Sequence, residues 1–245
     1  LQGEITPRLL EIMHIPYTIL EDDDKKFANT VEKAVKYCKE NRQPYGLIAP
    51  KGVMAANDKP NNMDRTYPMS REEAMEVILN NMPGDTIYSA TTGRATRELF
   101  FLREKRSETK AHDFLNVGSM GHASSVALGI ALEKPERKVV ALDGDSACMM
   151  HMGAMTMVSK LDVPNFMHVV LNNGSHESVG GQPSAGHKVD FTKIAEACDY
   201  ATVGHPVTTE VELMEALEVL RNCGKASFID CRIHKGLSRK LPPVI

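Results

Sequence analysis

Tryptophan is absent from these 245 residues, and aromatic residues of every kind make up only 5%. Lysine and arginine are scattered along the chain, and the formal net charge is only -3. A nucleic-acid-binding surface needs clustered cations, usually with stacking rings, so no nucleic-acid partner is expected. No apolar run approaches the roughly 20 residues that span a bilayer, so no membrane partner is expected either. The opening residues also lack a basic stretch followed by an apolar one, which removes the secretory reading. The five cysteines, Cys38, Cys148, Cys198, Cys223 and Cys231, are odd in number and never spaced as CxxC. That usage suits reduced structural thiols better than a disulfide frame or a zinc site, and with it a cytoplasmic protein. The GxGxxG of a nicotinamide-binding turn is missing, and so is an initiating Met at Leu1.

With 42% hydrophobic residues, the chain can build a substantial core, as one large domain or two small ones. Residues 5–12 are helix-like and 16–20 strand-like, so the chain opens as if inside a fold. A helix over 27–40 sets Val31, Ala34, Val35 and Cys38 on one face, and an apolar strand follows over 45–49. Residues 54–69 then turn polar and rich in Pro and Asn, which is linker composition. The expected domains are therefore 1–53 and 70–245.

In the second of these, Ser70 is a candidate N-cap for a helix over 71–80. Strands follow over 86–89, 138–142, 166–171 and 227–233. Between them lie helices over 96–104, 121–132, 148–160, 190–198 and 210–222. Such alternation implies an α/β fold with a mainly parallel sheet covered by helices on both faces. In these sheets ligands bind beyond the carboxyl ends of the strands, which directs attention to the turns after Ser89, Leu142 and Leu171.

Two of those turns consist of small, oxygen-bearing residues: Asp143, Gly144, Asp145, Ser146, Ala147 after one strand, and Asn172, Asn173, Gly174, Ser175 after the next. Magnesium takes hard oxygen ligands, one or two carboxylates together with phosphate oxygens, and one carboxylate plus one amide fits that need. Backbone N–H groups around Gly144 to Ala147 could hold phosphate oxygens at a helix start. Taken singly, each turn is ordinary, since Asp-Gly and Asn-Gly are common turn pairs.

Taken together, the Gly-Asp and Asn-Asn pairs resemble the magnesium- and diphosphate-binding signature of thiamine diphosphate enzymes. The chain resembles in particular the phosphonopyruvate decarboxylases among the 2-oxo acid decarboxylases. The runs that carry this likeness are Thr91 to Gly93, VGSMGHA over 117–123, LDGDSACMMHMG over 142–153 and LNNGSHESVGGQP over 171–183. The resemblance implies a thiamine diphosphate-binding fold preceded by the C-terminal part of a pyrimidine-binding domain. It implies magnesium held by the Asp145 side chain, the Asn173 side chain and the Ser175 carbonyl. The cofactor would also meet Thr91, Thr92, Gly93, Gly118, Ser119, Met120, Gly144, Ser146 and Ala147, with the Gly118 carbonyl taking a hydrogen bond from the aminopyrimidine and Met120 wedging the cofactor into a bent form. Where the family signature has Gly, this chain has Ser146, which raises the question of its backbone angle. The family's catalytic Glu would lie upstream, in roughly 100 or more further residues.

The implied reaction is non-oxidative decarboxylation of 3-phosphonopyruvate to phosphonoacetaldehyde, in phosphonate biosynthesis. The implied partners are a small anionic 2-oxo acid and further copies of the chain, at least as a dimer. Ala123, Ala127 and Ala131, on one face of their helix, would suit close packing between subunits. Sulfopyruvate decarboxylase is the rival enzyme, and a cofactor-binding subunit without activity of its own is the rival of another class. His122, after the wedge, and His176, after the metal loop, are the candidate catalytic residues, because a near-neutral pKa suits proton transfer or anion binding. His14, His112, His168, His205 and His234 read as ordinary, and His151 as a weak candidate. Arg94, Arg97 and Lys188 flank the strand ends and could meet an acidic group. Glu177 invites an acid/base role, but its offset from Asn173 is not that of the acidic residue in pyruvate decarboxylase relatives.

Overall fold

The computed structural model describes residues 2–54 and 65–236. The chain divides into two compact units, Leu1–Pro60 and Asn61–Ile245. Most of 54–69, read as a linker, lies outside the described residues. Among the described residues no helix is long and apolar enough to cross a membrane.

The first unit runs α1 (Gln2–Ile12), β1 (Tyr17–Ile19), α2 (Asp24–Asn41) and β2 (Gly46–Ile48), with β1 and β2 parallel. Asp23 caps α2 by accepting from the Lys25 and Lys26 amides at 3.0 Å each, which satisfies two donors that the first turn leaves free. Of the face expected to be apolar, Ala34 is buried, but Val35 is exposed. An 18-residue helix against a two-stranded ribbon covers only a narrow stripe of its surface.

The second unit contains α3 (Arg71–Asn81), β3 (Ile87–Ala90), α4 (Arg94–Lys105), β4 (Asp113–Leu115), α5 (Ala123–Glu133), β5 (Val139–Gly144) and α6 (Asp145–Met150). After these come β6 (Phe166–Asn172), β7 (Ser175–His176), β8 (Gln182–Pro183), α7 (Phe191–Ala197), α8 (Glu210–Leu220) and β9 (Ser227–Arg232). Five strands form one parallel sheet in the order β4-β3-β5-β6-β9. β6 is buried along its whole length, as expected for a strand covered on both faces. Val140 and Leu142 of β5 face a core shared with α3, α4 and α8, while Val139 and Ala141 face a second core with α5 and Phe166.

α3 starts as Ser70 suggests. The Ser70 hydroxyl accepts from the Glu73 amide at 3.2 Å, and the Glu73 carboxylate accepts from the Ser70 amide at 2.7 Å. Thr209 and Glu212 build the same reciprocal cap on α8.

Several expectations are corrected. The helix expected over 148–160 starts at Asp145, stops at Met150, and continues over Met152–Lys160 as a 3-10 helix. Gly153 weakens the α-form there, and the Thr156 and Ser159 hydroxyls donate to carbonyls three residues back, matching the tighter turn. β4 and the short β7–β8 hairpin were not anticipated, because two or three residues are too few to display a period. Ala123, Ala127 and Ala131 are buried in the molecule itself, the latter two in the core beneath β5, so that face is not free for a subunit contact. Ser146 sits inside α6 and is not among the residues of positive φ, so the side chain brings no strain at that position.

Removing the Thr209 hydroxyl tests the local reading of α8. Thr209→Ala should cost about 1 kcal/mol of stability, read as a lower urea midpoint with an unchanged slope.

Candidate functional site

In the order β4-β3-β5-β6-β9, the chain leaves β3 toward one edge and leaves β5 toward the other. A crevice therefore opens between the carboxyl ends of β3 and β5. A cavity of ≈ 280 Å³ lies there, and its wall comes from three strand ends. Thr91, Thr92 and Gly93 follow β3; Gly144 ends β5, and Asp145, Ser146 and Ala147 open α6; and Asn173, Ser175, His176 and Glu177 follow β6. Met120 contributes apolar wall, and Arg71 and Arg94 line the cavity from the starts of α3 and α4.

Asp145 is almost fully buried. Burial pushes its carboxyl pKa up, and the hydrogen bond donated by the Ser184 hydroxyl opposes that shift only in part. The loop that supplies Ser184 presses closely on the carboxylate. A β-carbon at Gly186 would lie 2.5 Å from Asn172 Oδ1 and collide with Asp145 Oδ2, so only glycine fits the approach. The Asn172 amide ties this loop down by donating to the Gly186 carbonyl at 3.0 Å and to Asp230 Oδ1 at 3.1 Å. Burial pushes the Asp230 carboxyl up to about 6, against the hydrogen bond from Asn172.

Beside it, Asn173 Oδ1 accepts from the Ser175 amide at 3.1 Å, and its Nδ2 donates to Glu177 Oε2 at 2.7 Å. Arg71 donates to the same Glu177 oxygen at 2.5 Å and to Glu98 Oε1 at 3.1 Å. Burial disfavours the Arg71 charge, but the two carboxylates outweigh it and hold its pKa above the ordinary value. Arg71 is thus a cation already committed to partners. Arg94 is in no ion pair among the described residues, though its charge acts on Glu98 through space. Two hydroxyls on the cavity wall, Thr91 Oγ1 and Ser146 Oγ, are buried without a hydrogen-bond partner among the described residues. Among the described residues no three His, Cys, Asp or Glu side chains converge as a metal cluster.

Not every expected residue reaches this cavity. Gly118 and Ser119 lie exposed on the loop before Met120 and do not line it, although the Gly118 amide donates to Thr92 Oγ1 at 2.9 Å. His122 does not line it either. Its Nδ1 lies 3.2 Å from the Ser119 carbonyl, and its ring packs against His151, tilted at 53° with centroids 4.2 Å apart, over a separate surface hollow. Arg97 and Lys188 are off the cavity wall. His168 is buried against Asp143, 3.3 Å away, and is a core residue. Sequence reasoning missed Arg71, Ser184, Gly186 and His187. The His187 ring occupies the place of a Gly174 side chain, with Nδ1 2.8 Å from where a β-carbon would stand. No local motif marks any of the four.

Replacing Gly186 by Ala should therefore destabilise the chain by about 1–3 kcal/mol through overpacking. Urea unfolding checks it, and an unchanged midpoint would mean that the 186 loop can retreat from Asp145 freely.

Residues 91–231, more than half of the chain, match the family model described as thiamine pyrophosphate enzyme, C-terminal TPP binding domain. Phosphonopyruvate decarboxylase of Streptomyces viridochromogenes is 34% identical, over 89% of this chain and 57% of its own length. Sulfopyruvate decarboxylase subunit beta of Methanocaldococcus jannaschii is 29% identical, over 56% of this chain and 70% of its own. The chain spans about half the length of the phosphonopyruvate decarboxylases that it matches. Among solved structures, the thiamine diphosphate-dependent 4-hydroxybenzoylformate decarboxylase of Rhodococcus jostii RHA1 aligns with a TM-score of 0.56 at 16% identity, over 89% of this chain and 43% of that one, a likeness of fold.

Proposed function

The chain belongs to the thiamine pyrophosphate enzymes, carrying their C-terminal cofactor-binding domain, and from that premise we propose that it serves a decarboxylase of 3-phosphonopyruvate. The products are phosphonoacetaldehyde and carbon dioxide, and the setting is phosphonate biosynthesis. The observation that carries this reading is one cavity in which Asp145 and Asn173 meet two hydroxyls and an arginine that have no hydrogen-bond or ion-pair partner, respectively, among the described residues.

The residues present fit the cofactor. Thr91 Oγ1 and Ser146 Oγ are buried donors without acceptors, a costly arrangement that diphosphate oxygens would relieve. Asp145 is a desolvated carboxylate whose ionised form a divalent cation would favour. Asp145, Asn173 Oδ1 and the Ser175 carbonyl would supply hard oxygen ligands to magnesium, together with diphosphate oxygens. When bound, thiamine diphosphate supplies the electron sink needed for loss of carbon dioxide from a 2-oxo acid. The chain's own residues orient the reactants. Met120 forms apolar wall, and Arg94 and His176 meet the substrate's second anionic group. His176, on the wall and half-buried, also takes the role of proton donor near that group. His122 has no such role in this reading. The first unit, Leu1–Pro60, is read as the C-terminal part of a pyrimidine-binding domain, and the functional unit as a homo-oligomer of at least two copies.

The test is to compare kcat/KM for phosphonopyruvate, sulfopyruvate and pyruvate in the full-length protein, then in Arg94→Ala and His176→Ala. Phosphonopyruvate should exceed pyruvate by about 10⁴-fold, because pyruvate leaves desolvated donors unpaired. Arg94→Ala should lose about 10- to 100-fold on phosphonopyruvate, the worth of one charged hydrogen bond, and little on pyruvate. Preference for sulfopyruvate would transfer the assignment to that enzyme.

A further inference from the structure

We propose that Glu177, pinned by Arg71, is a positioning residue that fixes the Asn173 carboxamide with its oxygen toward the bound metal. The inference rests on the reading of Asn173 as a metal ligand. Three donors converge on the Glu177 carboxylate: Arg71 Nη2 at 2.5 Å and Asn173 Nδ2 at 2.7 Å on Oε2, and the Gly236 amide on Oε1. Both oxygens are occupied, and none of the three partners can accept from Glu177, so the side chain serves here as an acceptor. Three donors hold it in one position.

What it does follows from the neighbouring amide. An isolated Asn carboxamide is free to turn over, exchanging its oxygen and nitrogen, and only one orientation offers a metal ligand. Here Nδ2 is held by Glu177, and Oδ1 accepts from the Ser175 amide at 3.1 Å. That single bond leaves the oxygen a second lone pair for a cation. Arg71 holds Glu177 in place from the first residue of α3, and Glu98 takes the other end of the guanidinium at 3.1 Å. The chain of contacts Glu98, Arg71, Glu177, Asn173 thus links two helices of the sheet's cover to the cavity wall. Partners of this kind, one bond removed from a metal, set the ligand's orientation, and their loss weakens metal binding by about 10- to 100-fold.

The experiment is a magnesium titration of the chain at fixed thiamine diphosphate, followed by calorimetry, for the wild type, Glu177→Leu, Asn173→Ala and the double variant Glu177→Leu/Asn173→Asp. In Glu177→Leu the Asn173 amide and the Arg71 guanidinium lose the oxygen that they share. The magnesium concentration at half-saturation should rise about 10- to 100-fold, and excess magnesium should restore cofactor affinity. The double variant keeps the net charge, and its new carboxylate offers oxygen in either orientation and needs no positioning, so it should recover most of the loss. Unfolding midpoints without metal should be alike in the single and double variants. An unchanged magnesium requirement in Glu177→Leu, with Asn173→Ala impaired, would overturn the proposal and leave Asn173 as a ligand. An equal loss in the single and double variants would also overturn it. Unimpaired binding by Asn173→Ala would instead remove Asn173 from the metal site itself.

Discussion

The sheet grows in opposite directions from β3 and β5, and the rest of the molecule follows from that constraint. Parallel strands deliver all their following turns to one edge, and the divergence leaves a gap there that no crossover helix fills. The turns after β3, β5 and β6 wall it, with residues short enough to bring backbone and hydroxyl groups to its surface. Apolar residues on both faces of β5 and β6 hold those turns in place from below. Burial of each such side chain contributes about 1.5–3 kcal/mol.

Around this gap the molecule keeps several charges out of water. Asp145 and Asp230 have carboxyl pKa values raised by burial, and Glu98 is raised for the same reason despite Arg71 beside it. Buried carboxylates are costly unless paired or bound to a cation. Arg71 offsets part of that cost by serving Glu98 and Glu177 together, while Asp145 has the Ser184 hydroxyl, nearby backbone and His176 acting through space. Among the described residues no cationic side chain is in an ion pair with Asp145. That is the physical reason for proposing a divalent ion at this carboxylate.

How much of this was legible in the sequence depended on range. β5 and β6 show as apolar runs ending in Asp-Gly and Asn-Asn, and both the strands and the turns that carry Asp145 and Asn173 are local features. Ser70 marks the start of α3 by its residue type, and Glu73 completes the cap in the structure. The ion pair of Arg71 with Glu177 joins residues 106 positions apart, and Ser184 meets Asp145 across 39. No periodicity reports such pairs, so the sequence alone assigns a role to neither Glu177 nor Arg71. His122 lies off the cavity wall for another reason: its neighbours in the chain lead to the cavity, but the turn at Gly121 carries its ring to His151.

The central claim is that thiamine diphosphate is held through a metal ion at Asp145. The direct measurement is calorimetric titration of thiamine diphosphate into the chain, with magnesium and after chelation, repeated for Asp145→Ala. Saturable binding that needs magnesium and is lost in Asp145→Ala is the expected result. Equal affinity with and without the metal, or undiminished affinity in the variant, would contradict it.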